Sequence, residues 1–255
     1  MGSRVFITGA SSGIGAALAT CYAQEGAVLG LCARRLAPMT ALLSSLGSEG
    51  ACYQAEVTDS KALQAAASDF ITRFGPPDIV IANAGIGAGT LTESAEDLAV
   101  FRAIMDTNVL GMVTTFQPFV AAMRERAGGT LVGIASVAGF RGLPGNSAYS
   151  ASKSAAITYL EGLRVELHGS GVSVVTICPG YVRTPLTEHN HYRMPFLIDA
   201  DDAARRMTRV IAAKRRLAVI PWQMALVSIV LRRVPRWLYD RLFARAPRKA
   251  RGLRR

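Results

Sequence analysis

The chain opens on a stretch that leaves few folds available. Arg4-Val-Phe-Ile-Thr8 is an apolar run of strand length, and it passes without a linker into Gly9-Ala-Ser-Ser-Gly13-Ile-Gly15 and then an alanine-rich helical run from Ala16. Further apolar runs at 27–32, 51–57, 78–82, 130–135 and 171–178 alternate with helix-forming stretches, so the chain reads as one α/β domain. In the glycine turn, Gly9 permits a tight exit from the strand, Gly13 lets backbone approach a ligand, and Gly15 allows close helix packing. The positive helix end beyond suits a pyrophosphate. Ser11, Ser12 and Ile14 complete that loop.

A second stretch carries proton chemistry. Ser147 to Leu163 is rich in Ala, Ser and Leu with no proline, which predicts a helix with Tyr149 and Lys153 one turn apart on one face. A phenol titrates near about 10 and has to come down by roughly 3 units, about 4 kcal/mol, to exchange a proton readily at neutral pH. A fixed ammonium one turn away favours the phenolate and supplies part of that shift. Ser136 ends the strand-like run Thr130 to Ala135, which puts its hydroxyl at a carboxyl edge of the sheet, where ligands dock in such folds.

The order and spacing of Thr8-Gly-x-x-x-Gly-Ile-Gly15, Asn83-Ala84-Gly85, Asn108, Ser136, Tyr149-x-x-x-Lys153 and Pro179-Gly180 with Thr184 closely resemble the short-chain dehydrogenase/reductase family over residues 3 to 200. The resemblance implies a single Rossmann-type doubly wound parallel sheet with helices on both faces. It implies a catalytic set of Asn108, Ser136, Tyr149 and Lys153, with Lys153 also on the nicotinamide ribose and the Asn108 main-chain carbonyl holding a relay water. It places Asp59 at the adenine, Asn83, Ala84 and Gly85 beside the adenosine ribose, and Pro179, Gly180, Val182 and Thr184 near the nicotinamide. Asp59 also reads as a helix N-cap for Ser60 onward. The helix from about Ala95 to Gln117 and the Tyr149 helix form a subunit face in the family, so a homodimer or homotetramer is implied.

Cofactor choice is read at the end of the second strand. Ala33 stands where an NAD-selective site keeps a carboxylate, and Arg34 and Arg35 follow. Guanidinium forks bind phosphate oxygens in pairs, so NADP(H) is expected, with Arg34 the stronger of the two candidates. The substrate is expected to be a small-molecule carbonyl or alcohol of hydrophobic character, with Phe140, Leu143, Pro144, Tyr181, Leu186 and Phe196 around it. Arg141 reads either as a loop arginine or as an anion anchor.

Charge separates the chain in two. Residues 205 to 255 hold 16 Lys or Arg against one acid, Asp240, whereas the first 204 hold 13 basic and 17 acidic residues, so the net +11 belongs to the tail. The expected organisation is therefore a catalytic domain at 1–204, with a substrate lid at about 185–200, and a basic, apolar extension at 205–255 that partly completes the domain. The run 217–231 is 15 residues with a proline and a glutamine, short of the about 20 that a spanning helix needs. Its tryptophans and flanking arginines suit the interface of an anionic membrane, and equally an arm packed on the enzyme. Nucleic acid is disfavoured because stacking aromatics are few at the basic end.

Cys21, Cys32, Cys52 and Cys178 lack metal-ligand spacing, and His189 and His191 lack acidic or thiol partners, so no metal is expected. Packed, reduced thiols and the absence of a leader before Arg4 fit a cytoplasmic enzyme, with the inner face of a membrane as a further location. An NADPH-binding regulatory protein, or a membrane-surface scaffold without turnover, stands as the alternative.

Overall fold

A computed structural model describes residues 2–252 except His189, His191 and Pro247. In chain order the elements are β1 (Arg4–Thr8), α1 (Gly13–Gln24), β2 (Val28–Ala33), α2 (Leu36–Leu46), β3 (Gly50–Gln54), α3 (Ser60–Phe74) and β4 (Ile79–Ala82). Then follow α4 (Asp97–Met105), a π-turn (Asp106–Leu110), α5 (Gly111–Glu125), β5 (Gly129–Ile134), α6 (Ser147–Glu166) and β6 (Val172–Pro179). The chain continues through β7 (Val182–Arg183), β8 (Ile198–Asp199), α7 (Ala200–Ala212), β9 (Leu217–Ile220), α8 (Trp222–Arg233) and α9 (Arg236–Phe243).

Seven strands form one parallel sheet in the order β3-β2-β1-β4-β5-β6-β9. Its two faces are read directly from strand periodicity. In β1, Val5 and Ile7 enter one core with α1, α2 and α7, while Phe6 enters the other with α3, α5 and α6; all three are fully buried. A sheet covered on both sides needs strands that are apolar throughout, which is what these runs are. The connections reverse direction between β1 and β4, and the crevice at the carboxyl ends of those strands is where an open sheet binds its ligand.

Two expectations are corrected. The helix expected to stop at Gln117 runs on past Pro118 to Glu125, because Phe119 and Met123 are fully buried and Phe119 packs on Phe6 with ring centres 4.8 Å apart. That burial outweighs the hydrogen bond lost at the proline. The boundary at 204/205 falls inside α7, whose Ala203, Ala204, Met207 and Ile211 sit in the core, and β9 then adds the seventh strand against β6. The extension is structurally part of the domain at least to Ile220.

Beyond β9, α8 turns Met224 and Ser228 inward and leaves Trp222, Leu226, Ile229 and Val230 exposed; α9 buries Tyr239 and exposes Trp237. Among the described residues, no helix is long and apolar enough to cross a membrane. The four cysteines are all unpaired.

Candidate active site

A cleft of about 520 Å³ lies over the switch point, bounded by the glycine turn, the ends of β2, β4, β5 and β6, and the first turns of α6. Gly9 and Gly13 both have positive φ, 68° and 57°, a region costly for residues with a side chain. A β-carbon at Gly13 would stand 3.2 Å from the Thr184 side chain and fill the gap between the turn and that loop. Gly15 does not line the cleft; it packs against the Gly9 carbonyl, where a β-carbon has no room. Asn83 staples the turn to β4, donating from Nδ2 to the carbonyls of Thr8 (3.0 Å) and Gly9 (3.3 Å), while Thr8 Oγ1 accepts from Asn83 N at 3.3 Å. The Ser12 side chain makes no cap on α1, which leaves the amide end of that helix facing the cleft at Gly13 and Ile14. An open amide end beneath a narrow glycine cradle fits the pyrophosphate of a dinucleotide.

At the opposite end are the residues expected to carry proton chemistry. Ser136 is buried after β5, where its Oγ accepts from Ala138 N (3.1 Å) and donates to the Pro179 carbonyl (3.4 Å). Tyr149 and Lys153 lie one turn apart on α6, with the Lys153 Nζ 5.8 Å from the centre of the Tyr149 ring. That ammonium is almost fully buried and donates to the Ile134 carbonyl at 2.8 Å. Asn108 sits in the π-turn between α4 and α5, a widened turn of a kind frequent at functional sites. Its side chain holds both backbone groups of Ile86, accepting from the N–H at 2.8 Å and donating to the carbonyl at 2.9 Å, and also donates to Ser152 Oγ at 2.9 Å. Ser152 in turn donates to the Tyr149 carbonyl at 2.8 Å, so Asn108 ties the β4 loop to the tyrosine helix.

The electrostatics differ from the expectation. Burial pushes the Tyr149 phenol above its ordinary value, with the Ser136 hydroxyl acting in the opposite direction. Burial also brings the Lys153 ammonium down to about 8. The lysine turns its charge to Ile134 O rather than to the phenol, so desolvation outweighs the attraction that was expected to lower the tyrosine.

Residues 3–194 match the sequence profile of the family described as short chain dehydrogenase. The chain belongs to that family. An uncharacterized oxidoreductase of Myxococcus xanthus is 38% identical over 237 residues, 92% of this chain and 93% of that protein. The 11-beta-hydroxysteroid dehydrogenase 1A of Arabidopsis thaliana is 36% identical over 195 residues, 75% of this chain but only 55% of the plant protein. A solved short chain dehydrogenase/reductase from Burkholderia phymatum, in complex with NAD, matches with TM-score 0.82 at 24% identity over 99% of this chain and 98% of that one, a likeness of fold. A short-chain dehydrogenase is an oxidoreductase acting on alcohol or carbonyl groups, and this chain is one.

Within this short-chain dehydrogenase, Gly9, Ser11, Ser12, Gly13, Ile14, Arg34, Arg35, Asn83, Ala84, Gly85, Ser136, Tyr149, Lys153, Pro179, Gly180, Val182 and Thr184 all line the cleft. Asn108 lies just behind it and is 1% exposed. Asp59 is outside it: its carboxylate caps α3 by accepting from Ala62 N at 3.0 Å, and the nearby cleft wall is Ala55, Glu56 and Val57. The two arginines divide. Arg34 lies 3.7 Å from Glu56 with both side chains exposed, whereas Arg35 reaches over the glycine turn to Ser11 Oγ (3.3 Å) and Ser12 Oγ (3.5 Å).

The expected apolar pocket is broken up. Of its six residues only Leu186 lines the cleft; Phe140, Leu143 and Pro144 line a separate hollow of about 720 Å³ with Tyr239 and Phe243 of α9. Arg141 is no anion anchor. Its Nη1 donates to the Leu231 (2.6 Å) and Val234 (2.8 Å) carbonyls at the end of α8, and its guanidinium lies 4.0 Å from the centre of the Tyr239 ring. The histidines of the lid region, His189 and His191, lie outside the described residues.

Sequence reasoning missed Lys249, Ala250 and Gly252, which line the cleft from the far end of the chain. Among the basic residues of the tail, nothing in spacing or composition set them apart.

Proposed function

We propose that this short-chain dehydrogenase is NADP(H)-dependent and that Tyr149, Ser136, Lys153 and Asn108 carry its proton chemistry on a hydrophobic ketone or secondary alcohol. The observation that carries the reading is the convergence of Ser136, Tyr149 and Lys153 at one end of a cleft whose other end holds Arg34 and Arg35. In the reductive direction Tyr149 gives its phenolic proton to the carbonyl oxygen, and Ser136 donates a hydrogen bond to the same oxygen as charge develops on it. The bound nicotinamide would supply the hydride. A phenol raised by burial stays protonated through neutral pH, the state a proton donor needs. The Lys153 ammonium, at about 8, is mostly charged there too and stabilises the phenolate left behind. The Asn108 side chain is committed to Ile86 and Ser152, so any part of Asn108 in a water relay falls to its main chain.

For the 2′-phosphate of NADP(H), Arg34 is held only by an exposed ion pair of little energetic weight, and Arg35 is already over the phosphate turn. Fluorescence titration with NADPH and NADH tests the cofactor. NADPH should bind at least about tenfold more tightly, and Arg34→Ala with Arg35→Ala should remove most of that difference. Equal binding of NADH by the wild type would sink the assignment. Hydrophobic substrate character is supported by Ile86 and Leu186 in the cleft and by the name of the plant relative.

Exposed apolar residues support a reading of assembly and location. Leu98, Leu110 and Val165 on α4, the π-turn and α6 support a homodimer or homotetramer through those helices. Trp222, Leu226, Val230 and Trp237, among the arginines of α8 and α9, support contact with an anionic membrane surface. Sedimentation with and without phosphatidylglycerol vesicles checks both: an oligomer is expected in their absence and co-sedimentation in their presence, and a monomer or an unbound protein contradicts the respective half.

A further inference from the structure

The C-terminal segment returns across the mouth of the cleft and is anchored there. Gly89 N donates to the Ala250 carbonyl at 2.8 Å, and Gly89 and Arg251 pair as a parallel bridge. Arg251 Nε lies 2.9 Å from Asp97 Oδ2, Nη2 lies 3.6 Å from Glu96, and the same guanidinium donates to Ser94 Oγ. Asp97 is a buried carboxylate that also accepts from Leu91 N at 2.7 Å; these bonds, with Leu91 the larger influence, hold it below the ordinary carboxylate range.

This latch fixes Lys249 in the cleft. Its ammonium lies 5.7 Å from the centre of the Tyr149 ring and makes one long hydrogen bond, 3.4 Å to the Leu186 carbonyl. An ammonium has three donors, so two are left without a protein acceptor among the described residues. No described carboxylate pairs with it, since Asp97 and Glu96 are taken by Arg251. Glu56, the only acid among the described residues lining the cleft, is beside Arg34 at the other end. Among the described residues, the titratable neighbours at this end are Tyr149, Lys153, Cys178 and Tyr192, none of them an anion at neutral pH. Burial lowers the Lys249 pKa, the sign of a cation whose lost hydration is not replaced.

We infer that Lys249 forms an anion subsite beside Tyr149 that takes a carboxylate carried by the substrate. The inference rests on the reductase reading and narrows its substrate class to amphipathic oxo acids, or the matching hydroxy acids, with the carboxylate within a few bonds of the reacting carbon. Lys249 thereby sets specificity, while Tyr149 and Ser136 act on the carbonyl oxygen.

The test uses the full chain with NADPH and a panel of medium-chain 2-, 3- and 4-oxo acids, each beside its methyl ester. The wild type should favour the acid of at least one pair. In Lys249→Met the ratio of acid to ester kcat/KM should fall about 10- to 100-fold, the scale of a charge-assisted hydrogen bond, and the loss should appear in the KM of the acid. Lys249→Arg should restore most of the ratio, and Arg251→Ala, which frees the segment, should lower it in the same direction. Equal losses on acid and ester, a rise on both, or a fall in NADPH affinity as the main effect would overturn the subsite, the last by assigning the cation to the cofactor's phosphates. Calorimetric titration of octanoate against octanamide into the NADPH complex separates this failure from failure of the reductase reading. If octanoate binds tenfold better through Lys249 while no carbonyl is reduced, the subsite stands without the reaction. If esters are reduced and neither turnover nor binding prefers the acid, the reaction stands and the subsite falls.

Discussion

Lys153 on α6 and Lys249 in the C-terminal segment hold their ammonium groups 5.8 and 5.7 Å from the centre of the Tyr149 ring, yet the two regions that deliver them are built differently. Lys153 is set by local geometry: one helical turn separates it from the tyrosine, and its charge is tied at 2.8 Å to the carbonyl of Ile134 at the end of β5. Lys249 is set by contacts that span the chain, the pairing of Arg251 with Asp97 above all, and its own bond to protein is long. Lys153 is almost fully buried and keeps one short bond to the protein. Lys249 is partly buried and keeps one long bond, the difference on which the anion subsite is inferred. Proximity to the Tyr149 ring therefore does not distinguish the two; the depth of burial and the length of the bond that holds each charge do.

The largest effect that sharpens this contrast is on stability. The Lys153 pKa falls from 10.5 to about 8 on folding, so between those values the unfolded chain holds a proton that the folded chain has released. Unfolding free energy must then rise with pH across that window: burying the ammonium costs most below pH 8, and the cost disappears as pH passes 10.5. The shift corresponds to about 3 kcal/mol. Urea denaturation of wild type and Lys153→Met at pH 7 and pH 10 should show wild type gaining most of that amount relative to the variant; a constant gap would mean the ammonium is not penalised in the fold.

A smaller effect breaks the comparison at the point where the two regions meet. A β-carbon at Gly87 would stand 2.8 Å from the Tyr149 ring and 3.4 Å from the Lys249 ammonium. Gly87→Ala must push the ring, the lysine or both, and kcat should fall about tenfold, since displacements below 1 Å at a reacting group carry costs of that order. An unchanged kcat would show that the ring has more room than this packing implies.

The same contrast explains what was legible in the sequence. The sheet could be read from apolar runs such as Val5-Phe6-Ile7, and the glycine turn, Ser136, Tyr149 and Lys153 from short fixed spacings, because in each case neighbours in sequence are neighbours in space. Asp59 was read doubly and serves as the helix cap, a role that local sequence alone supports. The failures came where distant parts meet. Phe140, Leu143 and Pro144 face α9 instead of the catalytic cleft, Arg141 closes the end of α8, and Lys249 and Arg251 could not be told from other basic residues of the tail. The direction of the Tyr149 shift was missed for a related reason: helical spacing gives the distance between two charges but not how much water the fold removes from each.

The most direct test of the account is steady-state reduction of carbonyl substrates by Tyr149→Phe, with NADPH affinity measured on the same sample. kcat should fall by about 10²- to 10⁴-fold, the contribution of a positioned proton donor, while the variant still binds NADPH. Turnover within a few fold of wild type would show that the proton comes from another group and that Tyr149 is not the donor.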